Sequence, residues 1–141
     1  MSCIQCIQLN IHRHDEIFPL LQQLTYAPLL DNLKFNDIIC SLKSNHHIYV
    51  YITDNKIVGT ITLLIEQKLI HSGKCVGHIE DLVVDKDHNG MGIAKELLAY
   101  TLQIAKDNNC YKVILDCDKK LISFYEKSGF KEKEVQMTQY F

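Results

Sequence analysis

The sequence predicts one α/β domain over residues 1–141, a mixed sheet with helices on both faces. Two stretches lead there. Cys75–Asp116 reads as an apolar strand, a polar loop, a glycine pair, a long amphipathic helix and a second strand, which together make one βαβ unit. Upstream, His47–Thr53 and Lys56–Glu66 are β-branched and aromatic runs separated only by Asp54-Asn55, a pair suited to the tight turn of a hairpin. The chain has 141 residues, enough for a core of its own, and no repeat, linker or low-complexity tract divides it.

The remaining elements fall around these two. Ile4–Ile11 alternates as a first strand. Asp15–Leu24 reads as a helix in which Pro19 marks the start or a kink, and Thr25–Asn32 is a loop containing Pro28. Asn36–Leu42 is a second, short helix with Asn32 or Asn36 as its N-cap. His71–Lys74 turns into the central strand Cys75–Val84, which is apolar apart from an adjacent acid pair, Glu80 and Asp81. Asp85–Asn89 is a polar loop. The long helix opens at Gly90 and Gly92, repeats its apolar face at Ala94, Leu97, Leu98, Thr101, Leu102 and Ala105, and ends near Asp107-Asn108-Asn109. Tyr111–Asp116 is the next strand, Lys119–Lys127 a short helix closed by Ser128-Gly129, and Phe130–Met137 a last strand.

Composition narrows the function classes. The chain is 47% hydrophobic and 23% charged with a net charge of −2, which suits a soluble globular protein and gives no footing for nucleic acid. No apolar run is long enough for a bilayer, and no basic segment precedes an apolar one at the N-terminus, so the expectation is a cytoplasmic protein without membrane contact. Six cysteines there are free thiols. Cys3 and Cys6 form one CxxC without a second pair at zinc-site spacing, so no metal is expected. Arg13 is the sole arginine among 15 basic residues.

Glycines at a helix start admit a ligand to backbone N–H groups that have no intrahelical partner, and the helix dipole makes that place suit an anion. A dinucleotide-binding turn is one reading, with Asp116 on the ribose. Against it, Lys95 stands where a third glycine is wanted, five polar residues separate strand from glycines, and too little chain follows Asp116 for more parallel strands. A Walker loop fails, since no GxxxxGK[ST] is present. The other reading is a coenzyme A pyrophosphate site. Asn89-Gly90-Met91-Gly92-Ile93-Ala94 resembles the R/Q-x-x-G-x-G/A signature of the GNAT acetyltransferase superfamily, with Asn89 in place of the usual Arg or Gln. Lys68-Leu69-Ile70-His71, Gly77-His78-Ile79-Glu80-Asp81, Cys110-Tyr111-Lys112, Leu115-Asp116-Cys117 and Phe124-Tyr125-Glu126-Lys127 resemble the glucosamine 6-phosphate N-acetyltransferase family within it, in register from about Lys68 to Phe130.

The resemblance implies a GNAT-type central sheet, mostly antiparallel, with a splayed central strand pair, and acetyl-CoA as co-substrate. It implies that the backbone of Leu82, Val83 and Val84 pairs with pantetheine, with the N–H near Leu82 serving the oxyanion, and that Asn89–Lys95 (Gly90, Met91, Gly92, Ile93 and Ala94 between them) holds the pyrophosphate. Glu80 and Asp81 face the amino sugar by resemblance. The residues themselves point the same way, because neighbours on a strand face opposite sides and one acid must then enter an apolar interior. Asp116 ends a strand, where ligands of open α/β sheets gather, and by resemblance orients the amine and helps remove its proton; an N-cap for the following helix is its other reading. Tyr125 by resemblance donates a proton to the departing thiolate, as a phenol is able to; a core aromatic beside Phe124 and Phe130 is the alternative. Leu121 stands where the family often has a coenzyme A-contacting Asn.

Cys117 has no base to activate it and reads as a small buried thiol, so the amine attacks the thioester directly. A hexose phosphate needs cations. The resembled family carries a C-terminal arginine reaching across a homodimer, but this chain has Tyr140 about there. Lys112, beside Tyr111, and Lys68 are the substitute cations, with His71 and Thr25 as further substrate contacts. The expected function is therefore acetyl transfer from acetyl-CoA to glucosamine 6-phosphate, feeding UDP-N-acetylglucosamine synthesis. The alternatives are a GNAT enzyme for another small or protein amine, or a non-catalytic acyl-CoA-binding module.

Overall fold

A computed structural model describes residues 6–141. The chain runs β1 (Cys6–Gln8), α1 (His14–Leu21), α2 (Asn32–Ser41), β2 (His46–Thr53), β3 (Lys56–Gln67), α3 (a single distorted turn, Ile70–Gly73), β4 (Cys75–Val84), α4 (Ile93–Asp107), β5 (Cys110–Ile114) and α5 (Ile122–Glu126). The five strands lie in the order β1-β2-β3-β4-β5. Neighbours are antiparallel through β4, and only β4 and β5 are parallel, joined by α4. The sheet is thus mixed and mostly antiparallel. The turn between β2 and β3 is the one the Asp54-Asn55 pair implies, with φ of 47° and 61° at its two corners.

Strand alternation divides the interior into two layers. Tyr49 and Tyr51 of β2 face α4, where Leu97 and Leu98 are fully buried beside Ile61, Leu63 and Ile79. Val50 and Ile52, one step out of phase, face α1 and α2, where Ile17, Phe18, Leu20 and Phe35 close the opposite layer. Burying one such leucine stabilises the fold by about 1.5–3 kcal/mol. Gly59 on β3 lets α4 come close: a Cβ there would sit 3.0 Å from Leu97 Cδ1 and 3.1 Å from Ile93 Cγ2.

Several boundaries differ from the sequence reading, among them the expected Tyr111–Asp116 strand: β5 runs Cys110–Ile114, where its pairing with β4 stops, so Asp116 lies in the loop beyond the strand. The first strand covers Cys6–Gln8, and a tight 3-10 turn at Ile11–Arg13 follows it; the start of the expected Ile4–Ile11 strand lies outside the described residues. Pro19 lies inside α1, exposed, where it forfeits one backbone hydrogen bond without ending the helix. The second helix begins at Asn32 and is capped by Asp31, whose Oδ1 accepts the Lys34 N–H at 2.9 Å, so neither Asn32 nor Asn36 is the cap. The expected last strand, Phe130–Met137, is absent. A strand needs a neighbour for its N–H and C=O groups, and β5 pairs with β4 alone. Val135 and Met137 remain 84% and 88% exposed.

Candidate active site

Two parallel strands separate to make the site. The β4–β5 ladder runs from Cys75–Cys110 to His78–Ile114 and stops. β4 continues to Val84 while the chain after Ile114 turns away, opening a wedge of about 360 Å³. Its walls carry Thr25, Glu80, Asp81 and Leu82 on one side and Asp116, Cys117 and Tyr125 on the other. Along this stretch β4 has β3 on one side only, so its other edge offers unpaired backbone groups. Such an edge accepts an extended amide chain as an added strand. The side chains meanwhile pack inward, Leu82 and Val84 toward the α4 layer and Val83 toward the α1 layer.

A β-bulge corrects the expectation for the acid pair. Thr62 pairs with Glu80 and Thr60 with Val83, so Ile61 faces both Asp81 and Leu82, and Asp81 adopts φ 52°. The extra residue breaks the strict alternation of faces. Glu80 and Asp81 are both exposed at the wedge, and neither enters the core. Partial burial, then the charges of Asp116 and Asp81, push the Glu80 carboxyl above its usual range, against a smaller pull from His78.

Across the wedge, Asp118 takes the helix cap considered for Asp116: its Oδ1 accepts the Lys120 N–H at 3.0 Å. Asp116 is left to the wedge. Tyr125 is half-buried, its ring edge-on to Phe124 at 5.0 Å and Phe130 at 6.0 Å, so the packing role and the wedge-facing position belong to one residue. Burial, then the neighbouring Cys117 and Asp116, push its phenol up, so it stays protonated and able to donate at neutral pH. Cys117 is exposed, which corrects the expectation of a buried thiol. Partial desolvation and then the charges of Asp116, Asp118 and Glu132 raise its thiol, which disfavours the thiolate a nucleophile needs. Leu121, singled out by the resemblance, lines the wedge, and so does Leu24, which no local sequence signal marks because only the fold brings it there.

Beyond β4, Lys86–His88 forms a 3-10 turn leading to Asn89. Gly90 and Gly92 hold φ of 78° and 82°, and a Cβ at either would meet no atom within 4 Å. Gly92 is the N-cap of α4, and no side chain caps the N–H groups that follow. Ile93 is buried, so its side chain serves the core, while Met91 and Lys95 are exposed beside the turn and Ala94 is half-buried. Open space, uncapped donors and a cation are what a diphosphate requires.

Four expected substrate residues lie elsewhere. His71 stacks on Tyr111 with centroids 4.1 Å apart, and Lys112 Nζ stands 5.7 Å from the same ring. Lys68 Nζ pairs with Glu66 Oε1 at 2.5 Å, and Glu66 Oε2 meets His78 Nε2 at 2.7 Å. This cluster sits where β4 and β5 begin, with Lys112 paired to Val76, four residues or roughly 13 Å of strand before Glu80, and with His78 between them. One chain does not bring it to the wedge. Among the described residues, the lining of the wedge holds Glu80, Asp81, Asp116 and Asp118 and no Lys or Arg.

The sequence profile of the acetyltransferase (GNAT) family matches residues 11–130. The chain belongs to the GNAT acetyltransferase family. Its relatives include the glucosamine 6-phosphate N-acetyltransferase of Trypanosoma brucei brucei, 38% identical over 97% of both chains, and that of Arabidopsis thaliana, 35% identical over 86% of this chain and 85% of the other. The crystal structure of the Arabidopsis enzyme superposes with a TM-score of 0.94 at 32% identity over 99% of each chain, and that of a Trypanosoma brucei acetyltransferase with 0.92 at 34%, over 98% of this chain and 99% of the other. GNAT acetyltransferases use acetyl-CoA as co-substrate, and the uncapped turn and free β4 edge suit its diphosphate and its amide arm. Among the described residues no three His, Cys, Asp or Glu side chains gather to hold a metal, and no helix is long and apolar enough to cross a membrane. Cys3 of the CxxC lies outside the described residues. Cys6 is buried, its thiol pushed up to about 11 by burial and by Glu96.

Proposed function

We propose that this GNAT acetyltransferase moves the acetyl group of acetyl-CoA onto the amine of glucosamine 6-phosphate, giving N-acetylglucosamine 6-phosphate for UDP-N-acetylglucosamine synthesis. The observation that carries the reading is the meeting of Glu80, Asp116 and Tyr125 in one wedge beside an unpaired strand edge and an open anion turn. Backbone N–H groups of Gly90–Lys95 hold the diphosphate, and the edge of Leu82–Val84 holds the pantetheine amides. Asp116 orients the amine and accepts its proton. Glu80 and Asp81 hold sugar hydroxyls, and Thr25 closes the same wall. The amine attacks the thioester carbon in a ternary complex, the N–H near Leu82 steadies the oxyanion, and Tyr125 protonates the sulfur as the C–S bond breaks.

Among the described residues, the acidic lining of the wedge offers the sugar phosphate no Lys or Arg. A homodimer resolves this if the cluster of Lys68, His71, Tyr111 and Lys112 on one copy faces the wedge of the other. Lysine meets phosphate as a point charge, without the bidentate fork of a guanidinium. The compartment of this chemistry is the cytoplasm. Thiol release from acetyl-CoA, screened against glucosamine 6-phosphate, glucosamine and lysine peptides, tests the assignment. Turnover with the sugar phosphate is expected; turnover with peptides alone overturns it.

A further inference from the structure

Asp85 closes β4 and touches three parts of the molecule at once. Its own N–H donates to the Val58 carbonyl at 2.8 Å, which fixes its backbone to β3. Its Oδ1 accepts from Gln23 Nε2 at 2.8 Å, and its Oδ2 accepts from His88 Nδ1–H at 2.8 Å. Gln23 returns the bond: its Oε1 accepts the Lys86 N–H at 2.9 Å. The two Gln23 contacts span 62 and 63 residues of chain, so they are tertiary ties and not local turn chemistry. Gln23 follows α1 and directly precedes Leu24 and Thr25, which line the wedge. His88 directly precedes Asn89 and the glycine turn.

We propose that Asp85 is a positioning residue that holds the acceptor wall of the wedge and the diphosphate turn at a fixed separation. This rests on the acetyl-transfer reading above and assigns it a part no motif marks. A carboxylate gives each of the two donors its own acceptor oxygen, whereas an amide would turn its N–H2 toward one of them. The Gln23 and His88 donors accordingly hold the Asp85 carboxyl below its usual range. Reaction between two bound partners is steep in their separation, and a misplacement of about 1 Å costs on the order of 100-fold.

The test separates the two arms. Gln23→Ala frees the acceptor wall and leaves the Asp85–His88 bond; His88→Ala frees the turn and leaves the Gln23 bridge. Acetyl-CoA Kd is measured by calorimetry without acceptor, and acceptor KM and kcat at saturating acetyl-CoA with whichever amine is turned over. Gln23→Ala is expected to raise acceptor KM about tenfold with Kd nearly unchanged, and His88→Ala to raise Kd about tenfold with KM nearly unchanged. Asp85→Ala should do both, and adding Gln23→Ala to it should raise acceptor KM by less than Gln23→Ala does alone, since only the Gln23–Lys86 bond is then left to lose. If these variants lower Tm and leave KM and Kd alone, or weaken both substrates indiscriminately, Asp85 is a structural tie only. Should Asp85→Ala fail to fold, the contrast between the two outer variants still decides. If no sugar phosphate is turned over, the substrate assignment fails while the Kd arm continues to report on Asp85.

Discussion

Gly92→Ala separates anion binding from folding. Gly92 sits at φ 82° before α4, and a Cβ there meets nothing within 4 Å, so the methyl group creates no clash. Its cost to the fold is the left-handed backbone of an L-residue, about 1–2 kcal/mol, offset by about 0.4–1 kcal/mol from a stiffer unfolded chain. The net loss of about 1 kcal/mol lowers Tm by roughly 2–5 °C in a domain of this size. The same methyl group occupies the open space next to the uncapped N–H groups, where phosphate oxygens must approach. Losing one hydrogen bond to a charged group is worth about 1.5–3 kcal/mol, so acetyl-CoA Kd should rise about 10- to 100-fold. Calorimetric titration with acetyl-CoA beside a thermal melt gives both numbers. An unchanged Kd with the expected small fall in Tm would refute the anion site; a collapse of Tm with Kd intact would make the glycine a structural requirement.

Tyr125→Phe keeps the ring contacts with Phe124 and Phe130 and removes one donor; kcat should fall about 10²- to 10⁴-fold with acetyl-CoA Kd and Tm nearly unchanged, by stopped-flow and calorimetry. Cys117→Ala should retain most activity, and the wild type should show intersecting lines in double-reciprocal plots, since a raised thiol does not form an acyl-enzyme; loss of activity in the variant, or parallel lines or an acetylated Cys117 in the wild type, would contradict this. His14 supplies a pH dependence of stability. Its ring lies edge-on to Phe18 and Phe35, its Nδ1 meets Asp15 Oδ1 at 2.7 Å, and its Nε2 meets the Leu30 carbonyl, so both nitrogens donate when the ring is charged. The Leu30 carbonyl first, then Asp15, raise its pKa. The charged ring therefore stabilises the fold fully below the ordinary histidine range, and that contribution is lost as pH rises through the raised value. Urea melts from pH 5 to 9 should show that loss in the wild type and not in His14→Gln.

The central strand is legible because its apolar run, its flanking polar loop and the helix period after it all agree, and β4 occupies the Cys75–Val84 span read from sequence. Glu80, Asp116 and Tyr125 are legible as a group through the resemblance, and they do share one wedge. The bulge is not legible. Asp81 takes a positive φ that glycine would advertise and aspartate does not, so the face of each acid is decided by the pairing of Ile61 with two residues. The last strand is misread because Val135 and Met137 carry the alternation of a strand without the neighbour that would pair with it. Asp85 escapes notice for a related reason. Its partner Gln23 lies 62 residues away, and contacts at that separation are set by the sheet and not by any local pattern.

The most direct measurement is the ratio of kcat/KM for glucosamine 6-phosphate to that for glucosamine, in the wild type and in Lys112→Met. A clear preference for the phosphate is expected, and it should fall in Lys112→Met if, as proposed, the Lys112 cluster of a second copy supplies the cation that the carboxylate-lined wedge lacks. Equal use of the two sugars by the wild type would contradict the substrate assignment and leave the broader acetyltransferase standing.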